Sequence, residues 1–542
     1  MNLLKIIINL VLLLSVLSSG CQPDTQTYLK TEIRFLYDDC LNSPVKHTST
    51  IPSNITNIRV SLIREGKTFI EKEIQNNDAQ TYAIINDIEP YNKYKLVVKA
   101  FTKDNVVWSG FAENVEIRPN SKTFVQINLT REKALTCADY SNNKRFMHTS
   151  VRLSGGRILL FGGAHSAAKD YDIYHLESSE NAEVFYQYKI EHSDNINTGI
   201  IAGSFRTLNS KMSSGRIGYI YEILPDGKIL IAGGINRGDI TKNPDDFFLC
   251  LNEKSEFIND IELFDPEKED FSVIARLNTP FAFAGSARIG NRIYIISGIK
   301  PGFDCKNPSP AGLNNTFITI DLTDIKSPKI NEEQITDDFS FFAGGRIQIS
   351  EKIFLFYGGN REDGLILNED GTIKKVTFDI SPDFSTKTPQ RQYFPQAYAL
   401  INGNLYINIA GYYKAISERY YIKINPDGKI KIEPDKMPEE PVFASSDILI
   451  GDYLFQTGGI RSLPFTVSDS FIVRKLETSD YRIIDGKTSG TEKLKRERVF
   501  HSTTEIGNNM FLITGGIYFN QAQDAIALDL AEIYNGNGLI NQ

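Results

Sequence analysis

Residues 498–516 read Arg-Val-Phe-His-Ser-Thr-Thr-Glu-Ile-Gly-Asn-Asn-Met-Phe-Leu-Ile-Thr-Gly-Gly. Phe500 opens a strand, Gly507-Asn508 makes a turn, an apolar strand follows, and Gly515-Gly516 closes the unit. The same unit recurs seven times after residue 140. Repeat 1 runs from Phe146 through Gly155-Gly156 to Gly162-Gly163, and repeat 2 from Ile217 through Asp226-Gly227 to Gly233-Gly234. Repeat 3 runs from Phe281 to Ser297-Gly298, repeat 4 from Phe341 to Gly358-Gly359, and repeat 5 from Phe394 to Ala410-Gly411. Repeat 6 runs from Phe443 to Gly458-Gly459, and repeat 7 is the stretch quoted above.

Within each unit the aromatic or Ile lies 15 to 17 residues before the small pair, while the spacing between units varies from 49 to 71. A constant core with variable loops is what stacked supersecondary units produce, because each buries its faces only against its neighbours. Arg145 to His148 and Arg498 to His501 carry Arg-x-x-His at the first strand, and repeat 2 has Arg216-Ile217-Gly218-Tyr219. These features resemble the kelch repeat over residues from about 140 to 542, although the outer-strand Trp of that family is absent from every copy. The resemblance implies a seven-bladed β-propeller of the galactose oxidase-like type. First strands crowd around the axis of such a ring and need small side chains. Ala282-Phe283-Ala284-Gly285-Ser286-Ala287, Ala343-Gly344-Gly345 and Ala444-Ser445-Ser446 supply them. Little chain remains after Tyr534, so residues 132–139 are expected to complete the last blade from the N-terminal side.

The chain starts with an apolar stretch, Ile6 to Leu17, after the single cation Lys5, followed by Ser18-Ser19-Gly20-Cys21. About 12 apolar residues suit a signal-peptide core, whereas a spanning helix needs about 20. The junction resembles a bacterial lipobox, with Ser18 where Leu is usual. The resemblance implies residues 1–20 as a lipoprotein signal, cleavage after Gly20, lipidation of Cys21 with added acyl (palmitate-type) chains, and an outer-membrane address. Residues 21–28 form a polar tether. Residues 29–131 alternate as short strands, among them Ile58–Ile63, Tyr94–Phe101 and Phe124–Leu129, and are expected to fold as an immunoglobulin-like or prealbumin-like β-sandwich. Trp108 is expected to pack in it. The expected class is therefore all-β: signal, tether, sandwich, then a propeller over 132–542.

Charge bounds the partners. The net charge is −8, and the one short basic run, Lys493 to Arg498, reads as a solvated loop, so no nucleic-acid partner is expected. No nucleophile elbow, phosphate loop or His-Glu-x-x-His occurs. No cofactor, metal or catalytic set is assigned, and the chain reads as a scaffold more than an enzyme. His148 and His501 should be neighbours across the ring closure. Extra length follows Gly163, Gly234 and Gly298, placing an elaborated loop face on repeats 1 to 3. His165, Asp170, Tyr171, Asp172, Tyr174 and His175 fall in the first of these loops. Tyr171, Tyr174, Tyr412, Tyr413, Tyr518 and Phe519 are candidate binding aromatics. Cys250 with Cys305, and Cys40 with Cys137, are candidate disulfides in an oxidising compartment, though four Cys allow three pairings.

The expected function is a membrane-anchored envelope scaffold that engages protein or glycan through one propeller face. The kelch resemblance keeps open a carbohydrate-acting enzyme, either a mutarotase-like protein using a polar channel mouth or a copper oxidase. It also leaves open a structural role in envelope assembly.

Overall fold

The computed structural model describes residues 27–36, 47–48, 50–75, 81–192, 200–241, 249–335 except 253, 297 and 304–313, then 345–475 with breaks at 351–352, 358–362, 378, 381–391, 402–403, 414–415, 425–429, 435–443, 452 and 463–465, and 493–540. It is all-β and propeller-like, and the chain divides into two compact units. Residues 1–20, expected as a signal, and Cys21, Cys40 and Cys305 lie outside the described residues.

The N-terminal unit is built on one nine-stranded sheet. Its path runs His47–Thr48, Tyr28–Leu36, Lys122–Arg131, Asn105–Ile117, Tyr91–Thr102, Asn57–Arg64, Lys67–Gln75. Tyr28–Leu36 and Lys122–Arg131 run parallel, and Tyr82–Asn86 pairs antiparallel with the former. Period-two alternation places Ile58, Val60 and Leu62 in the core with Leu96, Val98 and Ala100. Trp108 packs edge-on against Phe35, centroids 5.5 Å apart. This unit also takes in Gln187–Ala202, well past the expected end of the sandwich at residue 131.

The second unit is a series of small antiparallel sheets, one for each sequence repeat. Repeat 1 forms Thr149–Arg152, Arg157–Phe161, Glu183–Tyr186 and Phe205–Thr207. Repeat 2 forms Ile220–Ile223, Ile229–Ala232, Asp260–Asp265 and Asp270–Arg276. Repeats 3 and 4 give four-stranded sheets that begin at Gly285–Ile289 and Gly345–Ser350. The repeat 5 sheet begins at Gln392–Ile401 and is extended by neighbouring strands. Repeats 6 and 7 contribute three strands each, beginning at Ser446–Ile450 and Ser502–Gly507. Residues 132–138 run beside the last repeat 7 strand, Ala531–Asn535. Lys133 N donates to the Asn535 carbonyl (2.7 Å), and Ala138 N donates to the Ala531 carbonyl (3.1 Å). Ala134–Cys137 thus lies where a fourth strand belongs.

Register corrects the sequence alignment of two repeats. Isolated bridges join Phe146 to Ala164, Ile217 to Ile235, Ala282 to Ile299 and Val499 to Ile517. The residues equivalent to Phe146 are therefore Ala282 and Val499, not Phe281 and Phe500. Phe281 occupies the arginine position of the motif. Phe500 occupies the next position, where the backbone turns left-handed: φ is 53° at Met147, 67° at Gly218, 55° at Phe283 and 57° at Phe500.

The small pairs join sheet to sheet. The N–H of Gly163 donates to the Arg216 carbonyl (3.0 Å), that of Gly234 to Phe281 (2.7 Å) and that of Gly459 to Arg498 (2.9 Å). The N–H of Gly516, in repeat 7, donates to the carbonyl of Arg145 in repeat 1 (2.9 Å). The first glycine of the pair sits so close to the next repeat that a Cβ on Gly515 would lie 2.2 Å from the Arg145 carbonyl oxygen. No side chain fits there, and φ is +63° as well.

Candidate binding face and first-strand cluster

The loops that follow the small pairs of repeats 1 and 2 do not stay separate. Ala164–Asp170 and Ile173–Ser178 form a hairpin, and the repeat 2 strands Arg237–Thr241 and Leu249–Cys250 extend it into one four-stranded sheet. Alternation gives this sheet a buried underside. Tyr174, Leu176 and Ile240 join Phe146, Ile217 and Val499 in one apolar cluster. Burial raises the Tyr174 hydroxyl pKa above its ordinary value. That hydroxyl donates to the Gln523 carbonyl (2.6 Å), and Lys169 Nζ donates to Ala522 (2.6 Å). The repeat 7 hairpin, Ile517–Phe519 with Ala525–Ala527, is thereby tied to the same face. The sequence expected repeats 1 to 3 here; repeat 7 takes part as well, while residues 304–313 of the third loop lie outside the described residues.

The candidate aromatics separate by burial. Tyr171, at the hairpin tip, is 90% exposed. Tyr174 and Phe519 are buried and pack on each other at 5.2 Å, which makes them supports of the face and not its anchors. Tyr518 is half-buried beneath the Arg496 guanidinium at 4.9 Å. Tyr412 and Tyr413 end the strand Asn404–Tyr413, and their side chains lie outside the described set. His175 stands on the outer surface of the loop sheet. Its Nδ1 meets Asp239 Oδ1 at 2.7 Å, and Asn252 Nδ2 donates to that same oxygen at 2.7 Å. His165 Nδ1 lies 3.1 Å from the Ser178 carbonyl.

A polar group that sequence reading missed joins the first strands of repeats 2, 3 and 4. Glu222 is only 5% exposed. It accepts from Ser286 Oγ at 2.7 Å and pairs with Arg346 Nη1 at 2.6 Å, and the Arg346 side chain stays partly open to solvent. No motif marks the three residues, because each comes from a different repeat. On the other side of repeat 1, Ser150 is hydrogen-bonded to Ser502 and Thr504 of repeat 7.

His148 and His501 hold sheets together. His148 Nε2 meets Thr514 Oγ1 at 2.9 Å, and His501 Nε2 meets Thr457 Oγ1 at 2.7 Å. Each thereby reaches the end of the second strand of the preceding repeat. In repeat 2 the residue to be reached is Phe161, which has no hydroxyl. Tyr219 fills the histidine position and donates instead to the Phe161 carbonyl, at 2.8 Å. Among the described residues no group of three or more His, Cys, Asp or Glu is placed to hold a metal ion. Cys137 is disulfide-bonded, to a partner outside the described side chains.

The basic run 493–498 is not simply solvated. Lys493 pairs with Asp469 at 3.1 Å in the open, but Arg498 is fully buried against Glu532. Among the described residues no helix is long and apolar enough to cross a membrane.

No protein-family model matches the chain, and no curated protein matches it. Among solved structures, that of YjhT is similar over 72% of this chain and 94% of its own, at 12% identity and a TM-score of 0.33. The fold described above rests on the strand registers alone.

Proposed function

We propose that this chain is a cell-envelope binding scaffold that engages a protein or glycan through the loop sheet of repeats 1 and 2 and its repeat 7 neighbour. The supporting observation is the tip of that sheet. Tyr171 presents a whole aromatic ring to solvent on a hairpin whose underside is anchored in the core. An exposed aromatic on a rigid support is the usual form of a binding anchor, since little entropy remains to be lost. Asp170, Asp172 and Lys169 flank it and supply polar rim contacts. In this reading the repeats close as a seven-bladed kelch-type propeller, and the N-terminal unit is an immunoglobulin-like or prealbumin-like spacer. Cys21 carries the lipid that tethers the protein to the membrane, with the outer membrane as the expected address.

The test is capture of partners from envelope extract by the mature protein, against Tyr171→Ala and a variant whose 167–174 hairpin tip is replaced by Asn-Gly. The reading expects recovery to fall about tenfold or more with Tyr171→Ala. Equal recovery by all three proteins contradicts it.

The Glu222–Ser286–Arg346 group favours a second reading, a carbohydrate-acting enzyme. A buried carboxylate beside a partly open guanidinium can bind hydroxyls and move a proton. Exchange NMR on reducing sugars tests it. Faster anomer interconversion that Glu222→Gln abolishes supports this reading, and no acceleration removes it.

A further inference from the structure

Residues 187–202 leave the repeat 1 sheet and return to it at the same place. Gly203 N donates to the Tyr186 carbonyl at 2.6 Å, and Tyr186 N donates to the Ser204 carbonyl at 3.0 Å. The outer hairpin of repeat 1 is thus already closed at its stem. What lies between belongs to the N-terminal unit. Tyr188–His192 pairs antiparallel with Lys122–Arg131 in an unbroken register, Tyr188 opposite Ile127 through His192 opposite Thr123.

The pairing is built, not incidental. Tyr188 is 2% exposed within the core of that unit, and its hydroxyl donates to the Glu113 carbonyl at 3.0 Å. Its ring meets Phe111 at 6.3 Å. At the far end Ala202 N donates to Gln126 Oε1 at 2.7 Å. Over residues 123–127 the receiving strand has Tyr28–Leu36 on one side and Tyr188–His192 on the other. Without the second, it presents a row of unpaired N–H and C=O groups, which is a template for another strand.

We propose that the 123–127 edge is a strand-acceptor site, filled in cis by Tyr188–His192, which takes up the same segment in trans once the cis strand is removed. The aromatic at position 188 sets specificity, because it enters the core while the backbone ladder supplies the remaining contacts. The N-terminal unit is then completed only by chain encoded within repeat 1, so its folding waits for that repeat.

The experiment replaces residues 187–202 with Asn-Gly, a two-residue hairpin turn suited to the closed stem. A fluorescein-labelled peptide of residues 187–202 is added and its anisotropy followed. Expected are saturable one-to-one binding to the shortened protein, none to the intact chain, and at least about tenfold weaker binding by the Tyr188→Ala peptide. A folded shortened protein that ignores the peptide overturns the proposal. Hydrogen exchange on the intact chain decides the matter independently of whether the shortened one folds. Amides of 188–192 are expected to exchange together with those of 123–127. Exchange of 188–192 at the rate of an unprotected loop overturns the proposal.

Discussion

Arg498 and Glu532 form an ion pair, Nη2 to Oε2 at 2.5 Å, in which neither side chain is exposed at all. Glu532 also accepts the N–H of Lys495, three residues before the arginine. Repeat 1 copies both contacts with Arg145, Glu183 and the N–H of Asn142, and repeat 2 copies them with Arg216, Glu262 and the N–H of Ser213. Repeat 3 abandons both charges together. Phe281 stands in the arginine position, and Ile318 stands opposite Ile295, as Glu532 stands opposite Ile513. Both are fully buried in one apolar cluster. Burial pushes the Glu532 carboxyl up and pulls the Arg498 guanidinium down, so each charge depends on the other.

Breaking the pair from one side should therefore be costly. Glu532→Gln leaves a buried guanidinium uncompensated and is expected to lose about 3–5 kcal/mol. The double variant Arg498→Phe with Glu532→Ile borrows the solution of repeat 3 and should recover most of that loss. Urea denaturation of the wild type, the single and the double variant gives the comparison. A double variant as unstable as the single would refute the equivalence of the two arrangements.

The two inter-sheet histidines predict acid sensitivity. Burial holds both imidazoles well below their ordinary pKa of 6.5, with Arg145 beside His148 and Arg498 beside His501 adding to the effect. His148 also feels His501. Both rings are neutral in the folded protein, whereas the unfolded chain takes up protons as pH falls through 6.5. Their contribution is whole above that pH and declines below it, by up to about 1.4 kcal/mol per pH unit for each ring. Melting temperature should fall between pH 6.5 and pH 5, less so in the double variant His148→Gln, His501→Gln. Parallel pH profiles for the two proteins would contradict the assignment.

Two glycines with similar backbones should respond differently to alanine. Gly155, at φ +70°, has nothing within 4 Å of where a Cβ would stand, so Gly155→Ala costs only the left-handed conformation, about 1–2 kcal/mol. Gly515→Ala meets the Arg145 carbonyl as well, and overpacking adds about 1–3 kcal/mol. Denaturation midpoints measured side by side should keep this order, and equal losses would show that the two repeats are not in close contact there.

Cys137 lies in Ala134–Cys137, beside the last strand of repeat 7, so its disulfide fastens that segment. Cys40 is the expected partner. A loop of roughly 100 residues gives a cross-link worth about 4–5 kcal/mol in the chain-entropy account. Non-reducing peptide mapping should recover a peptide joining Cys40 to Cys137, and Cys137→Ser should lower the melting temperature. Recovery of Cys40 as a free thiol would exclude the pairing.

Much of this could be read from the residues, for physical reasons. The glycine pairs and the alternation within each repeat are local, so all seven units were visible and each has its sheet. The exact slots were not, because an aromatic satisfies the pattern at three adjacent positions. Phe146, Phe281 and Phe500 look alike in sequence; the Arg-x-x-His spacing sets Val499 opposite Phe146, but repeat 3 lacks that marker and only strand register places Phe281. Nothing in the sequence singles out Tyr188–His192, since nothing local says that a strand pairs outside its own repeat. Glu222, Ser286 and Arg346 escaped for a similar reason. Their contact exists only when three repeats stand side by side.

In the proposed propeller the repeats are expected to close on themselves, repeat 7 against repeat 1. Hydrogen exchange at two amides tests it most directly: Gly516, which donates to Arg145, and Met147, which donates to Phe500 at 2.8 Å. In a closed ring both should be protected as strongly as their counterparts between consecutive repeats, Gly163 and Gly234 for Gly516, and Phe283, which donates to the Gly218 carbonyl, for Met147. If Gly516 and Met147 exchange freely while Gly163, Gly234 and Phe283 are protected, the series is open and repeat 7 does not close on repeat 1.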